Sequence, residues 1–171
     1  MTSAPLDAAA LLRRLHDAGV EHVVIGGLAV IAHGVQRFTN DLDICPAPDL
    51  ANLERLARML DSADARQLGL GDFDEREFPF DPRRPEELAE GGNFRLVTTE
   101  GVLDIMQWIP GISGEQAYGE LAADAVEGAA FGVPLKVCSL EHLRTMKRSA
   151  GRPQDERDLA DLATADRGSD R

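Results

Sequence analysis

A glycine pair and a pair of aspartates constrain this chain more than any other feature in it. The stretch from Val23 to Ile44 reads VVIGGLAVIAHGVQRFTNDLDI, so Gly26-Gly27 and Asp41-Leu42-Asp43 are separated by residues 28–40. An apolar run, His22-Val23-Val24-Ile25, leads into the glycines. Alternate side chains of a strand share one face. In a strand over 41–45, Asp41 and Asp43 therefore project side by side, with Leu42 and Ile44 turned to the core. Two carboxylates so placed repel unless a cation lies between them, and hard divalent cations prefer such oxygen ligands. A lone D-x-D is common and also fits a turn acid followed by a surface acid. The glycine pair at this distance favours the site.

The bulk numbers bound the answer. With 171 residues and 43% apolar content, the chain suits one domain with a good core, or one domain with a small helical extension. Thirty acids against 18 basic residues give a formal net charge of −12. That argues against a broad electrostatic footprint for nucleic acid, though not against a local basic pocket. No apolar run is long enough for a membrane span, and the start, MTSAPLDAAALLRRL, does not read as a signal peptide. Cys45 and Cys138 lack metal-type spacing and read as reduced, buried thiols of a cytoplasmic protein.

Residues 6–18 read as a helix with Ala8, Leu11, Leu12 and Leu15 along one stripe, stopped by Gly19. A strand over 22–26 enters the glycine turn, and a second helix runs from Leu28 to His33. Pro46 ends the acid-bearing strand, and Asp49 caps a helix to about Ser62. Residues 66–93 lack a sustained period and read as an irregular excursion with a short strand near Phe78–Phe80. FRLVTTEGVLDIMQW reads as a hairpin, with strands 94–98 and 102–108 about a turn at Thr99-Glu100-Gly101. Strands follow near Ala125–Phe131 and Leu135–Cys138. Ser139 caps a helix with Leu140, Leu143 and Met146 inward, and a last helix starts near Pro153 and ends near Ala165. The expected fold class is α/β (α+β): a mixed, mostly antiparallel sheet with flanking helices. Its expected division is a domain over 1–138, a C-terminal helical extension over 139–165 and a disordered tail over 166–171.

Asp104 is the third candidate acid. An aspartate among Leu103, Ile105 and Met106 is a poor choice for an apolar strand unless it has a task, the plain alternative being the exposed face of an edge strand. Placed beside the 41–45 strand it completes a three-carboxylate cluster, able to hold two magnesium ions about 3.5–4 Å apart for an in-line phosphoryl displacement. A strand, Gly-Gly and helix start allow close backbone approach and aim free N–H groups and the helix dipole at an anion. Phosphate donors on one side and cation ligands on the other describe a nucleoside triphosphate site.

Taken as a set, Gly26-Gly27, the 28–40 spacer, Asp41-Leu42-Asp43 and the later Asp104 resemble the DNA polymerase β-like nucleotidyltransferase superfamily. GGLAVIAHGVQRFTNDLDI is similar to the small bacterial branch that includes abortive-infection toxin-type and minimal aminoglycoside nucleotidyltransferases. SLEHLRTMKRSAGRPQDERDLADL is similar to the helical tail of its toxin-like members. The resemblance implies that Asp41, Asp43 and Asp104 ligate two Mg2+ ions (or Mn2+), and that Asp104 also helps deprotonate an acceptor hydroxyl. It further implies that Gly26 and Gly27 cradle phosphates and that Lys147 reaches the triphosphate. Many members carry serine where this chain has Gly27, which leaves only backbone donors here.

Arg37 and Arg152 are further candidates for phosphate contact, with structural pairing to acids as the rival reading. Asp155 and Asp158 fall where acids favour a helix N-terminus, so a cap or salt bridge leads for both, with Asp158 kept as a site candidate. Thr39-Asn40 shape the turn. His33 is a helix-end histidine, Trp108 and Phe94 are core candidates, and Tyr118 is an acceptor candidate for self-nucleotidylation. The implied activity is transfer of a nucleoside monophosphate from an NTP to a hydroxyl of a tRNA, a protein or a small molecule, as in a toxin with a partner antitoxin. Its rivals are an aminoglycoside-type nucleotidyltransferase and a catalytically silent nucleotide-binding or antitoxin-like module. The acids Asp72, Asp74, Glu75, Glu77 and Asp81 suit either a cationic acceptor or a solvated loop.

Overall fold

The computed structural model describes residues 4–68, 81–113 and 117–169. The strand expected near Phe78–Phe80 and the acids Asp72, Asp74, Glu75 and Glu77 lie outside the described residues. The elements run α1 (Ala8–Asp17), β1 (His22–Ile25), α2 (Gly26–Ala32), β2 (Asp41–Pro46), α3 (Leu50–Ser62), β3 (Arg66–Gln67) and α4 (Pro85–Ala89). They continue as β4 (Asn93–Thr98), β5 (Gly101–Met106), α5 (Ala117–Ala123), β6 (Val126–Ala130), β7 (Val133–Val137), α6 (Leu140–Ala150) and α7 (Pro153–Ser169). All described strands join one sheet in the order β3-β4-β5-β2-β1-β7-β6. β1 is antiparallel to β2, β4 to β3 and β5, and β6 to β7, while β2–β5 and β1–β7 are parallel. The mixed, mostly antiparallel sheet expected from the sequence is the one observed.

The centre of the sheet is where the acids lie. β2 carries Leu42 and Ile44, and β5 carries Leu103 and Ile105, all fully buried on one face. The alternation that buries these four side chains turns Asp41, Asp43 and Asp104 to the other face. β5 lies between β4 and β2, so Asp104 belongs to an interior strand and not to an edge.

The helices are set by their caps and stripes. Asp7 accepts a hydrogen bond from the Ala10 N–H at the start of α1, and Gly19, at φ +68°, follows its end. Leu11, Leu12 and Leu15 fill the buried stripe, each contributing about 1.5–3 kcal/mol by leaving water. Asp49 caps α3 and Ser139 caps α6, as expected, and α6 stops at Gly151 in the left-handed region. α1 packs on β7 and α3, α2 and α5 pack on β1 and β2, and α6 packs on α2 and α7. No described helix is long and apolar enough to cross a membrane.

Several boundaries differ from the sequence reading. α2 begins at Gly26 and not at Leu28, because Gly26 takes φ +63° and turns the chain from strand into helix within one residue. α7 continues past Ala165 to Ser169, since no glycine precedes Gly168 to stop it. The second hairpin strand ends at Met106, and Trp108, expected in the core, is 56% exposed. Within the excursion, β3 and α4 are regular but too short to show a period. Pro85 at the first turn, with Glu86 and Glu87, is the chemistry that starts α4. α5 offers a weak signal because only Ala117 and Leu121 are buried within its seven residues.

Asn52 locks α3 to the sheet. Its side chain is fully buried, accepts from the Glu21 N–H at 2.7 Å and donates to the carbonyls of Glu21 and Ala47, each at 2.9 Å. Asn52→Leu strands all three backbone groups and is expected to cost about 2–4 kcal/mol. Urea unfolding should show this as a lower midpoint with an unchanged slope.

Candidate active site

Strand register brings the candidate acids together. Asp43 pairs with Asp104 across the parallel β2–β5 ladder and with Ile25 across β1. Asp104 pairs in turn with Arg95 on β4. One row across the sheet therefore reads Arg95, Asp104, Asp43, Ile25, and Gly26 follows directly at the strand end. Asp41 lies two residues before Asp43 on the same face.

The glycine turn receives Asp43. A side chain at Gly26 would overlap the Asp43 carboxylate, so glycine is required there for space as well as for its positive φ. Burial, and then the charges of Asp41 and Asp104, push the Asp43 carboxyl up to about 7. The Gly27 backbone N–H and the positive charge of Lys147 pull it back down. Asp104 is raised to about 6, first by burial and then by Asp41, against the downward pull of Arg95 and Arg152.

Arg95, which the sequence reading passed over, bridges the two outer acids. Its Nη1 donates to Asp104 Oδ2 at 2.5 Å and its Nη2 to Asp41 Oδ2 at 3.1 Å. The other oxygen of Asp104, Oδ1, is buried without a hydrogen-bond partner. Among the described residues, no three histidine, cysteine, aspartate or glutamate side chains converge on a cation position. Asp43 faces the glycine turn and the other two acids face Arg95. An all-oxygen donor set, an orphaned buried carboxylate oxygen and a carboxyl held near neutrality nonetheless suit a hard divalent cation.

Arg37 and Thr39 line the other side of the turn. A side chain at Gly27 would run into Thr39 Oγ1, with Arg37 Nη2 nearby. Thr39 Oγ1 donates to the Asp41 carbonyl at 3.0 Å and to Asp41 Oδ1 at 3.2 Å, which orients the acid. Arg37 Nη1 donates to both oxygens of Asp158, at 2.7 and 2.6 Å.

Lys147, Asp155 and Asp158 form a buried ionic knot behind the site. Lys147 Nζ lies 2.9 Å from Asp155 Oδ1 and 2.8 Å from Asp158 Oδ2, and all three residues are buried. Arg152 Nε donates to Asp155 Oδ2 at 2.8 Å, while most of its side chain is exposed. Burial pushes both carboxyls up, but hydrogen bonds from Arg152 and Lys147 to Asp155, and from Lys147 and Gln154 to Asp158, hold them below their ordinary values. Asp155 also accepts the Arg152 backbone N–H at 3.1 Å, so it caps the helix start as well as joining a salt bridge, whereas Asp158 is held by salt bridges, and the ammonium expected to reach a triphosphate is engaged by both carboxylates. The hydrogen bond to Asp155, and then the charges of Asp155, Asp43 and Asp41, raise Arg152's affinity for its proton.

The remaining candidates lie elsewhere. His33 Nε2–H donates to the Cys138 carbonyl at 2.8 Å and ties α2 to the end of β7. Phe94 packs against the core. Asp81 is engaged by Arg83 at 2.8 Å. Tyr118 lines a cavity of about 470 Å³ with His16, Glu21, His22 and Lys136, away from the carboxylate row. Cys45 and Cys138 are buried, form no disulfide, and burial pushes both thiols up to about 12.

Solved structures of similar architecture are nucleotidyltransferases. The solution structure of the antibiotic-resistance factor ANT(2'')-Ia matches over 92% of this chain and 83% of its own, with a TM-score of 0.57 and 16% identity. The crystal structure of ANT(2'')-Ia in complex with adenylyl-2''-tobramycin matches over 91% and 84%, with a TM-score of 0.54 and 15% identity. A protein of Thermotoga maritima described as a candidate nucleotidyltransferase matches over 92% and 90%, with a TM-score of 0.53 and 18% identity. This chain has the nucleotidyltransferase fold. No family model matches it, and no curated protein matches it either.

Two outcomes follow from the electrostatics. Between about pH 4 and 7 the folded protein keeps a proton on Asp43 that the unfolded chain has lost, so this group's contribution to stability falls as pH rises through that window. In EDTA at pH 8, Asp43→Asn should therefore melt several degrees above the wild type by calorimetry, with the gain gone near pH 4. Lys147→Met leaves two carboxylates buried without their shared cation and should cost about 3–5 kcal/mol, read from chemical denaturation.

Proposed function

We propose that the protein is a magnesium-dependent nucleotidyltransferase that moves a nucleoside monophosphate from an NTP to a hydroxyl acceptor. The observation that carries this is the register: Asp104, Asp43 and the glycine turn follow one another in a single row, with Asp41 beside them on the same face. Asp41, Asp43 and Asp104 would hold Mg2+, two ions in the expected arrangement, with Mn2+ as a substitute. When bound, the metal would supply charge neutralisation at the α-phosphate and at the leaving pyrophosphate. The N-terminus of α2 presents backbone N–H groups to the phosphates, and Arg37 and Arg152 border the same space. Asp104, raised to about 6, suits a group that accepts the acceptor's proton near neutral pH. In the transfer, the acceptor oxygen bonds to the α-phosphorus, the α–β phosphoanhydride bond breaks, and pyrophosphate leaves with its electron pair. Residues 1–138 would form the catalytic unit, and the pair α6–α7 would brace the glycine turn through Asp158 and Arg37.

The acceptor reading favoured here is a small cationic molecule of aminoglycoside type. The net charge of −12 suits such an acceptor better than a nucleic acid. The likeness to ANT(2'')-Ia, solved with adenylyl-2''-tobramycin, points the same way. The toxin reading, with a tRNA or protein acceptor and an antitoxin partner, is supported by the resemblance of the Ser139–Leu162 segment to toxin-like members.

The deciding assay offers each α-labelled NTP with Mg2+ to the purified protein, alone and with tRNA, cell lysate or an aminoglycoside panel. Label should pass to one acceptor class with the wild type. Asp41→Ala and Asp43→Ala should abolish transfer, and Asp104→Asn should slow it by about 10²–10⁴-fold. Transfer that survives the double Asp41→Ala/Asp43→Ala change sinks the mechanism. NTP binding without transfer would instead identify a silent nucleotide-binding module.

A further inference from the structure

Arg95 occupies a position that the chemistry of the row otherwise reserves for a metal. It stands opposite Asp104 in the antiparallel β4–β5 register, so the backbone places it beside that acid. Its two terminal nitrogens fork between carboxylates on different strands, Asp104 of β5 and Asp41 of β2. Asp43 takes no part in this fork and faces the glycine turn. The three acids are thus divided between two partners, and among the described residues they do not converge on one point.

We propose that Arg95 is the resident counter-cation of this site, holding Asp41 and Asp104 apart from a metal position until a divalent cation displaces it. The proposal rests on reading the three acids as a metal site. A guanidinium matches two carboxylate oxygens through its planar fork, and its single charge offsets part of the repulsion between Asp41 and Asp104. It cannot, however, satisfy Asp104 Oδ1, which remains buried and without a partner. A divalent cation bound by all three acids offers more charge at shorter range. The Arg95 side chain is 49% exposed, so release moves its head into water without opening the core. Metal binding therefore competes with an internal ion pair, and the measured affinity is the intrinsic one reduced by the fraction of molecules in which Arg95 has let go.

Binding of Mn2+ alone, followed by the EPR signal of the free ion in a low-salt buffer, tests this on the full chain. Arg95→Ala and Arg95→Gln should each bind Mn2+ about tenfold more tightly than the wild type, while melting at lower temperature in EDTA. Added Mn2+ should restore more melting temperature to these variants than to the wild type. A merely structural arginine would give the opposite sign, with affinity lost along with stability. Unchanged or weaker Mn2+ binding in the variants overturns the proposal. Absence of Mn2+ binding in wild type and variants alike overturns it together with the metal-site reading, and the two failures are told apart by the wild-type titration. Should Arg95→Ala fail to fold, Arg95→Lys keeps the charge but loses the fork, and an affinity between those of the wild type and Arg95→Gln is the supporting result.

Discussion

Repulsion among three carboxylates on one sheet face is the constraint around which this molecule is arranged. Leu42, Ile44, Leu103 and Ile105 need to be buried, and the period of two then forces Asp41, Asp43 and Asp104 onto the same side. A parallel β2–β5 pairing sets Asp43 directly beside Asp104. The fold answers with positive charge from three directions: Arg95 across the β4–β5 ladder, Arg152 from the start of α7, and Lys147 from α6. The glycine turn adds the positive end of a short helix, with a backbone N–H aimed at the acid that burial penalises most.

The C-terminal helices take part in this balance. Lys147 is buried only because Asp155 and Asp158 are buried with it, and Asp158 is shared with Arg37, which borders Gly27. One ionic chain thus runs from α6 through α7 to the loop before β2. Each member has its charge satisfied by another, so removal of any one leaves an uncompensated charge out of water. This explains how α7, which lacks a long apolar stripe, holds a fixed position against α6 and the turn. Hydrogen bonds fix the geometry that α7, with only modest segregation of its apolar residues, could not fix by burial alone.

How much of this was legible beforehand depended on whether the signal was local. Asp41 and Asp43 were readable from alternation, and Asp104 from an acid set among Leu103, Ile105 and Met106. The caps at Asp49 and Ser139 and the stop at Gly19 are likewise local chemistry. Arg95 was not readable, because what matters is its partner across the β4–β5 ladder, and no spacing within one strand announces a cross-strand partner. The knot at Lys147 was hidden for a related reason: Asp155 and Asp158 had an adequate local explanation at a helix start, and their burial is set by tertiary packing. Helices of five and seven residues, such as α4 and α5, are too short for a 3.6 period to repeat.

Gly27 and Thr39 are fitted to one another at the turn. A Cβ at position 27 would meet the hydroxyl of Thr39. The space beside the turn is thus already filled by an oxygen, delivered from the loop before β2 and not from the turn itself. That oxygen is bonded to Asp41 through both its backbone and its carboxylate, so the group that fills the turn also orients the first acid of the row. A serine at position 27 would therefore crowd Thr39 and disturb Asp41. The two residues act as one unit: glycine at 27 and threonine at 39 each make sense only in the presence of the other.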